Sequence, residues 1–431
     1  MRLRMLSGRP RHVFVLVLSL MVLTVGLAAG AGRLFEPSLQ TAAAFSGAGE
    51  FYDVPPTTSP LAADPPAAPS ADAPVAPDAA PAPTAERAAE AAAPAAPPAA
   101  EPAAAPTPKP VIPLGKGMWL YQLSMAEGGD AAKVVKKATA AGLTHLYLRL
   151  GSSKGGFYAQ DELDKLLPVA HAAGLKVIGW DFVYLKDPAA DAARAKAEIE
   201  YVTATGHRID AFSADIETGS EGVTLSGEGA AAYGAALRAL VGPSYPLIAT
   251  VPRPSPKRAF PFAEATASFD AIAPMVYWQN RDPATDVAGA IAALAPFGKP
   301  ILPVGQAYNG GPEGGPDRDP PKEQLVAFMN TALDKGAVAV SFWVWNHATP
   351  EQWSAIDEAK TWELSAGRAP TGAAAVYLQR ILGVLGQPVA QDGVLGPATT
   401  AAIAAVQRGL GLPGTGKLDH ATVRSITGPK L

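Results

Sequence analysis

The sequence predicts an α/β fold, a (β/α)8 or TIM barrel, with a small all-α domain at its C-terminus. In residues 114–367, short apolar runs alternate with amphipathic segments in eight strand–helix units. Eight such units in about 250 residues are the size and rhythm of this barrel. Residues 371–431 instead contain three segments of helical periodicity with turn residues between them.

The apolar runs have the length of strands, and signals for helix boundaries lie between them. Gly142 and Gly174 stand where helix C-caps are expected, while Asp187-Pro188 and Ser226 are typical of helix starts. A doubly wound open sheet is the alternative, but no glycine-rich phosphate loop follows the first strand. The expected strands are residues 117–123, 145–150, 176–184, 211–216, 246–251, 271–277, 300–305 and 337–343, and the expected helices include 131–141, 161–173, 189–205 and 228–241.

The N-terminus predicts passage through a membrane. Four arginines within the first eleven residues precede an uncharged apolar run at 13–31, an order that favours an exported C-terminal side. The run has about the length of a membrane span, but residues 29–31, Ala-Gly-Ala, also look like a cleavage site. Residues 1–33 are therefore expected to be either a single membrane anchor or a signal peptide. Both alternatives export everything that follows.

Residues 34–113 form a linker that is mostly Ala, Pro and small polar residues from about position 54. Such a segment lacks the large apolar residues needed to bury a core, so it is expected to be disordered. Because Pro-rich chains are extended, it is interpreted as a semi-rigid spacer that holds the barrel within or across a cell wall. A linker without a specific role is the alternative.

Composition excludes several classes of site. The 431 residues carry a net charge of -4 and no cysteine, which excludes disulfides, thiolate metal sites and a Cys nucleophile and gives no support for nucleic-acid binding. The histidines of the barrel segment are scattered without metal-ligand spacing. No metal or other cofactor is expected.

Two carboxylates, Asp215 and Glu217, follow the fourth apolar run two residues apart. On a strand they point to the same side, at the end of the barrel where catalytic groups gather. Two neighbouring carboxylates cannot both ionise freely, so one is expected to keep its proton near neutral pH. Such an acid can protonate the leaving oxygen in glycoside cleavage. A pair that binds neighbouring cations or caps the next helix is the alternative.

The C-terminal segment carries a motif that spans nearly all of it. The motif residues are Leu378-Gln379, Leu382, Gly386, Asp392-Gly393-Val394-Leu395-Gly396-Pro397, Thr400, Val406-Gln407, Gly411-Leu412, Gly416, Asp419 and Thr422. The segment resembles the peptidoglycan-binding family of small three-helix domains found on bacterial wall hydrolases. Leu395 and Val406 stand where that family usually has Phe. The resemblance implies peptidoglycan as a partner, although most of these residues are turn and core residues, with Thr399 or Thr400 expected to cap the second helix.

The barrel segment resembles chitinase-type (family 18) glycoside hydrolases. Residues 210–217 are similar to the Asp-x-x-Asp-x-Asp-x-Glu strand of that family, with Ser213 in place of one Asp. Residues 273–277 resemble its Met-x-Tyr strand, but Trp278 replaces the Asp that usually follows. An Asp-x-Glu on the fourth strand is also shared by lysozyme-like (family 25) barrels, whose acid on the first strand is missing from residues 117–123.

The family 18 resemblance implies a substrate-assisted mechanism. Glu217 would be the general acid, Asp215 would orient and stabilise the N-acetyl group of the substrate, and Tyr277 would assist that group. The acetamide oxygen of the sugar then attacks the anomeric carbon, so that a second catalytic carboxylate is not required. Peptidoglycan sugars carry such acetamides, which agrees with the C-terminal segment.

Further residues near the predicted strand ends are candidates for substrate binding. Aromatic faces stack on sugars, although a Trp in a barrel is more often part of the core. An acid at the third strand end binds sugar hydroxyls or caps a helix. Basic residues after the fifth strand, Arg253, Lys257 and Arg258, are a solvated loop or meet peptide carboxylates of a wall fragment. The substrate-binding candidates are Asp181, Trp119, Trp278, Gln306, Tyr308, Trp343 and Trp345.

The sequence therefore indicates an exported glycoside hydrolase, anchored or secreted and associated with the cell wall, that acts on peptidoglycan or another N-acetylated glycan. A non-catalytic glycan-binding protein with a degenerate barrel is the first alternative. Asp215 and Glu217 favour the enzyme, whereas Ser213 and Trp278 favour this alternative. A barrel that acts on another polysaccharide or on a spore coat, with the C-terminal domain used for retention, is the second.

Overall fold

A computed structural model describes residues 112–427. Its single sheet has the order β1-β9-β8-β7-β6-β5-β4-β2-β3, and an additional pairing of β1 with β2 closes it into a barrel. All pairs are parallel except the short hairpin of β2 with β3. The strands are β1 (Gly115–Leu120), β2 (His145–Ser152), β3 (Gly156–Phe157), β4 (Lys176–Phe182), β5 (Ala211–Asp215), β6 (Leu247–Pro252), β7 (Ala271–Val276), β8 (Val304–Gln306) and β9 (Ala339–Trp343).

Helices follow the strands and cover the outside of the barrel. The helices are α1 (Ala131–Ala140), α2 (Gln160–Ala172), α3 (Pro188–Glu200), α4 (Gly227–Val241), α5 (Phe262–Thr266), α6 (Pro283–Leu294), α7 (Lys322–Asp334), α8 (Pro350–Glu358), α9 (Ala373–Val384), α10 (Pro397–Gly409) and α11 (His420–Thr427). Each predicted strand overlaps an observed one, which confirms the predicted (β/α)8 barrel and its C-terminal helical region. The hairpin strand β3 and the short helix α5 were not predicted.

Local signals explain where the helices begin and end. The Asp187 side chain accepts a hydrogen bond from the Ala190 amide and Ser226 accepts one from the Gly229 amide, so both residues cap a helix as predicted. Gly142 has a positive φ of 69°, which is the left-handed conformation expected just past a helix. The prediction that Thr399 or Thr400 caps α10 is wrong. Gly396 is the N-cap there, because Pro397 already fills the first helical position.

The C-terminal helices α9–α11 contact the barrel at the end where its strands begin. The Tyr377 hydroxyl donates to the Val338 carbonyl, just before β9, at 2.9 Å. Arg424 of α11 donates to the Ala172 carbonyl, at the end of α2, at 3.2 Å. The rings of Trp362 and Tyr377 pack edge to face with centroids 5.4 Å apart. This region therefore lies on the face opposite to the strand C-terminal ends.

Two buried glutamines organise the loops of the C-terminal region. Gln379 donates to Asp392 at 2.7 Å and accepts from the Gly393 amide at 3.0 Å. Gln407 donates to the Thr422 hydroxyl at 2.7 Å and accepts from the Gly416 amide at 2.8 Å. Each glutamine side chain thus binds both a backbone amide and a side chain of a following loop. These motif residues therefore have the structural role that the sequence predicted.

The predicted membrane or signal segment at residues 1–33 lies outside the described residues, as does all but the end of the linker at 34–113. Among residues 112–427, no helix combines the length and the apolarity that crossing a membrane requires.

Candidate active site

Strand β5 brings the two predicted carboxylates to the mouth of the barrel. Its partners are β4 and β6, with Asp215 in register with Phe182 and Thr250. The chain stays extended past the strand, since the Ile216 amide donates to the Thr250 carbonyl at 2.9 Å. Asp215 is only 4% exposed. Glu217, two residues later on the same side, remains partly accessible and lines an open cavity.

Burial and neighbouring charge shift the pKa of both carboxyls upward. Burial raises the pKa of Asp215 to about 7, opposed by the positive charge of Arg149 from β2. Burial also raises the pKa of Glu217 well above its ordinary value, and the charges of Asp215 and Glu221 raise it further. The Oδ1 atom of Asp215 is buried without a hydrogen-bond partner among the described residues. A proton therefore stays on this pair near neutral pH, as general acid catalysis requires.

The cavity in front of Glu217 has a volume of about 350 Å³. It lies at the C-terminal ends of β5, β6 and β7 and is bordered by the loop after β8. Its walls are predominantly polar, with three glutamates and three arginines among the lining residues. These are Glu217, Glu221, Pro252, Arg253, Ser255, Arg258, Met275, Tyr277, Gln279, Arg281 and Glu313.

Tyr277, the third predicted catalytic residue, directly follows strand β7. Met275 and Tyr277 both line the cavity, as expected for residues two apart along an extended chain. The Tyr277 ring meets that of Tyr308 edge to face at a centroid distance of 5.5 Å. The Tyr308 hydroxyl in turn donates to Glu313 at 2.6 Å. The cavity therefore gathers Glu217 and Tyr277, whereas the buried Asp215 is not among its lining residues.

Gln279 forms a constrained corner of the cavity. Its φ of 52° is in the left-handed region, which is uncommon for a residue other than glycine. Its amide donates to Gln306 Oε1 at 2.7 Å, and its side chain donates to Glu313 at 3.0 Å. Gln306 is buried and also donates to the Tyr308 carbonyl at 3.0 Å. The predicted binding residues Gln306 and Tyr308 thus hold the wall of the cavity in place.

The arginines occupy one side of the cavity. Arg281 donates to Asp286 Oδ2 at 2.6 Å, and an Arg253 nitrogen lies 3.5 Å from Oδ1 of the same carboxylate. Burial lowers the pKa of Arg253, and the charges of Arg281 and Arg258 act in the same direction. Arg258 is exposed toward the cavity, and its charge lowers the pKa of Glu217 in opposition to burial.

Asp181 lies outside the cavity. It is fully buried, with Arg194 of α3 at 2.7 Å from its Oδ2 atom. Burial raises the pKa of Asp181 to about 6, although Arg194 opposes the shift. Trp180 points into the barrel, so the next residue along β4 points outward to the helices. Its proposed contact with sugar hydroxyls stays a prediction that this placement does not favour.

Three tryptophans fill the barrel interior. Trp119, Trp180 and Trp343 meet edge to face, with centroids 5.5 to 5.9 Å apart, although β4 is not a neighbour of β1 or β9. Trp119 is 2% exposed and stacks on Tyr147. Trp343 remains partly accessible. Trp343 is not among the residues that line the cavity, and its sugar contact stays a prediction.

Trp278 and Trp345 lie away from the cavity. Trp278 is fully buried, donates to Gln324 of α7 at 2.8 Å and packs on Phe328 of the same helix. Trp345 packs on Trp353 of α8 at a centroid distance of 4.7 Å and donates to Glu127 at 3.2 Å. Both indoles pack against the helical layer, and their sugar contacts stay predictions.

The remaining residues of the Asp-x-Glu strand serve the barrel. Asp210 lies at the other end of β5, where it accepts from the Val177 amide at 2.8 Å and lies 3.0 Å from His171. Ser213 is fully buried below Asp215. Among residues 112–427, no group of His, Cys, Asp or Glu has a geometry suited to a metal ion.

The sequence did not single out Glu221, Gln279, Arg281 or Glu313 as site residues. Each lies within a few residues of a strand end or in the loop after β8, so position past a strand was the one available signal. The Glu221 side chain is half-buried, and burial raises its pKa. Its Oε2 atom is buried without a partner among the described residues.

Comparison with known proteins identifies one part of the chain. Residues 371–426 match the family described as "Putative peptidoglycan binding domain". This confirms the predicted resemblance of the C-terminal segment. No curated protein matches the chain.

Several solved structures resemble the chain at low identity. An endo-β-1,4-mannanase from Thermotoga petrophila is 13% identical over 60% of this chain and 79% of that one, with a TM-score of 0.46. The GH18 chitinase ChiB of Flavobacterium johnsoniae is 13% identical over 58% of this chain and 94% of its own, with a TM-score of 0.43. The spore cortex-lytic enzyme SleL of Bacillus cereus is 13% identical over 58% and 74%, with a TM-score of 0.43. These likenesses are distant. The chain joins a (β/α)8 barrel to a C-terminal segment that is similar to the peptidoglycan-binding family.

Proposed function

We propose that the chain is a cell-wall-directed glycoside hydrolase that cleaves an N-acetylated glycan such as peptidoglycan. The observation that carries this proposal is the position of Glu217. Glu217 lines an open cavity at the strand ends together with Tyr277, and burial raises its pKa. Asp215, two residues earlier, is buried. A carboxylic acid that keeps its proton at the mouth of a barrel is suited to protonating a leaving oxygen.

In the proposed reaction, the Glu217 carboxylic acid donates its proton to the glycosidic oxygen. The acetamide oxygen of the substrate attacks the anomeric carbon as the bond to the leaving oxygen breaks, forming an oxazolinium ring. Asp215 orients the acetamide and stabilises its positive charge, while the Tyr277 hydroxyl assists the acetamide oxygen. The Glu217 carboxylate then takes a proton from the water that adds to the anomeric carbon and opens the ring. Two displacements at one carbon retain its configuration.

The C-terminal segment supports the choice of glycan. Its similarity to the peptidoglycan-binding family gives the chain a means of staying on the wall while the barrel acts. Peptidoglycan lies outside the cytoplasmic membrane, which agrees with the predicted export by residues 1–33 through an anchor or a signal peptide.

A non-catalytic glycan-binding barrel is the second candidate. It is favoured by Ser213, which offers a hydroxyl where the family 18 pattern has a carboxylate, and by Trp278, which packs on α7 and not in the cavity. The two candidates differ in one measurable property, the cleavage of a glycosidic bond.

The test is to incubate the chain with purified peptidoglycan and to measure new reducing ends. We expect release by the unchanged chain and a loss on the order of 10²-fold or more for Glu217→Gln, which keeps the shape but removes the acid. Glu228→Gln is the matched control, because Glu228 is exposed on α4 and does not line the cavity.

Two outcomes would contradict the proposal in different ways. Release that is unchanged in Glu217→Gln would show that another group is the acid. Retained binding without release from peptidoglycan or any other N-acetylated glycan would favour the non-catalytic candidate.

A further inference from the structure

Three arginines line the cavity, and Asp286 is the carboxylate that pairs with two of them. Arg253 and Arg281 come from the loops after β6 and β7 and share the single carboxylate of Asp286. Arg258, from the same loop as Arg253, has no carboxylate within 4.0 Å among the described residues. Three guanidiniums thus face the cavity with one carboxylate bound to them.

None of the three glutamates that line the cavity forms an ion pair with Arg258 within 4.0 Å among the described residues. Burial raises the pKa of both Glu217 and Glu221, and the charge of Arg258 opposes both shifts. Glu313 accepts hydrogen bonds from Tyr308 and Gln279. Arg258 is exposed and lines the cavity, so its guanidinium is accessible to a ligand there.

We propose that the substrate carries a carboxylate next to the bond that is cleaved, and that Arg258 binds this carboxylate, with Arg253 and Arg281 adding positive potential beside it. A guanidinium binds carboxylates through two parallel hydrogen bonds, which fixes orientation as well as charge. This proposal rests on the proposed function of the same cavity. It narrows the substrate from any N-acetylated glycan to an acidic one.

The tight loop that presents Arg258 supports this role. The Arg258 amide donates to the Ser255 carbonyl at 3.1 Å, and these two residues form an isolated antiparallel bridge. Ser255 and Arg258 both line the cavity, whereas Lys257 between them does not. Of the two adjacent cations Lys257 and Arg258, the turn thus presents only Arg258 to the cavity.

A carboxylate in peptidoglycan has two sources, the lactyl group of the sugar and the attached peptide. The test measures binding to the full-length Glu217→Gln chain, so that cleavage does not contribute. Three soluble oligosaccharides of equal length are compared: neutral N-acetylglucosamine oligomers, peptide-free glycan with lactyl carboxylates, and glycan that retains its peptides. A fourth ligand is the peptide-free glycan with its carboxylates reduced to alcohols.

In the Glu217→Gln background we compare Arg258→Gln with Lys257→Gln as the control. Because all variants keep the C-terminal domain, any difference between them reports on the barrel. We expect Arg258→Gln to weaken binding of the acidic ligands by about tenfold and to leave the neutral ligands unchanged. If Arg258→Gln weakens binding of the peptide-free glycan but not of its reduced form, the lactyl group is the source of the carboxylate. If Arg258→Gln weakens binding only of the glycan that retains its peptides, the peptide is the source.

Binding of every acidic ligand, with or without peptides, that is unchanged in Arg258→Gln, or equal effects of the Arg258 and Lys257 substitutions, would overturn the inference. Cleavage is measured separately with the unchanged catalytic residues. If neutral and acidic glycans are cleaved alike, the hydrolase remains and the acidic specificity is wrong. If acidic glycans bind through Arg258 but nothing is cleaved, the specificity remains and the hydrolase is wrong.

Discussion

The Ser213 and Thr250 hydroxyls lie 2.7 Å apart on neighbouring strands, and both side chains are buried. A hydroxyl pair thus fills the place where the family 18 pattern would put a carboxylate. The raised pKa of Asp215 accordingly comes from burial and from acids at other positions, not from a residue directly beneath it.

This pair predicts a non-additive effect on stability. Ser213→Ala alone leaves the Thr250 hydroxyl without its partner and should cost about 1 to 3 kcal/mol of the free energy of unfolding. Thr250→Val alone should cost a similar amount. The double variant removes both hydroxyls and should cost less than the sum, as measured by denaturant unfolding in a double-mutant cycle. Strict additivity would show that the two hydroxyls do not interact.

Asp215→Asn is predicted to move the pH profile of glycan cleavage. The charge of Asp215 raises the pKa of Glu217, so its removal should lower that pKa. The general acid then loses its proton at lower pH, and the basic limb of kcat/KM shifts to lower pH while the maximum rate falls. Asp210→Asn is the control, since Asp210 lies at the other end of the strand beside His171. A basic limb that does not move in Asp215→Asn would show that the charge of Asp215 does not influence the pKa of the general acid.

Glu198→Gln is predicted to reduce the loss of stability at higher pH. Glu198 is fully buried near Arg194, and a Cβ on Gly151 would lie 2.3 Å from its Oε1 atom. Burial raises its pKa well above the ordinary value. The folded state therefore keeps this proton longer than the unfolded state. Stability falls as pH rises from the unfolded to the folded pKa, by about 1.4 kcal/mol for each pH unit that separates these two pKa values.

The measurement is the midpoint of thermal unfolding from about pH 5 to pH 8, a range that begins above the ordinary pKa of Glu. Glu198→Gln should show a smaller decline than the unchanged chain. Glu200→Gln, on the same helix but exposed, should follow the unchanged chain. Identical declines in all three would assign the pH dependence to other groups.

Gln407→Ala is predicted to impair the C-terminal region and its retention on the wall. The side chain accepts from the buried Gly416 amide and donates to the Thr422 hydroxyl and the Lys417 carbonyl. Its loss leaves the Gly416 amide without a partner, at about 1 to 3 kcal/mol, and removes the other two hydrogen bonds. We expect reduced recovery with insoluble peptidoglycan. Gln387→Ala, which removes a half-buried side chain of the same segment, should bind normally. Normal recovery of both variants would contradict a role of this loop in binding.

The barrel was predictable because its strands are buried on both faces. Parallel strands under two layers are continuous apolar runs, and each of the eight is bounded by turn or helix signals. Asp215 and Glu217 were found for the same reason, since they interrupt the apolar pattern at a strand end. The sequence predicted sugar contacts for adjacent residues, although neighbours on one strand point to opposite sides. If Tyr277 points into the barrel, Trp278 points to the helices, and the same alternation separates Trp180 from Asp181.

The loops explain what the sequence did not predict. Glu221, Gln279 and Glu313 reach the cavity through turns whose path depends on contacts with other loops. Gln279 adopts a left-handed backbone that residue type alone would not suggest. Its position is set by the hydrogen bond to Gln306, which is 27 residues away in sequence.

The C-terminal helices contact the barrel where the strands begin, through Tyr377 and Arg424, whereas the cavity opens where the strands end. In an enzyme with this arrangement, the glycan that is bound and the glycan that is cleaved contact opposite ends of the barrel. The C-terminal helices would then hold one glycan strand while the barrel cleaves a neighbouring strand. The strand that holds the protein would stay intact after each cleavage.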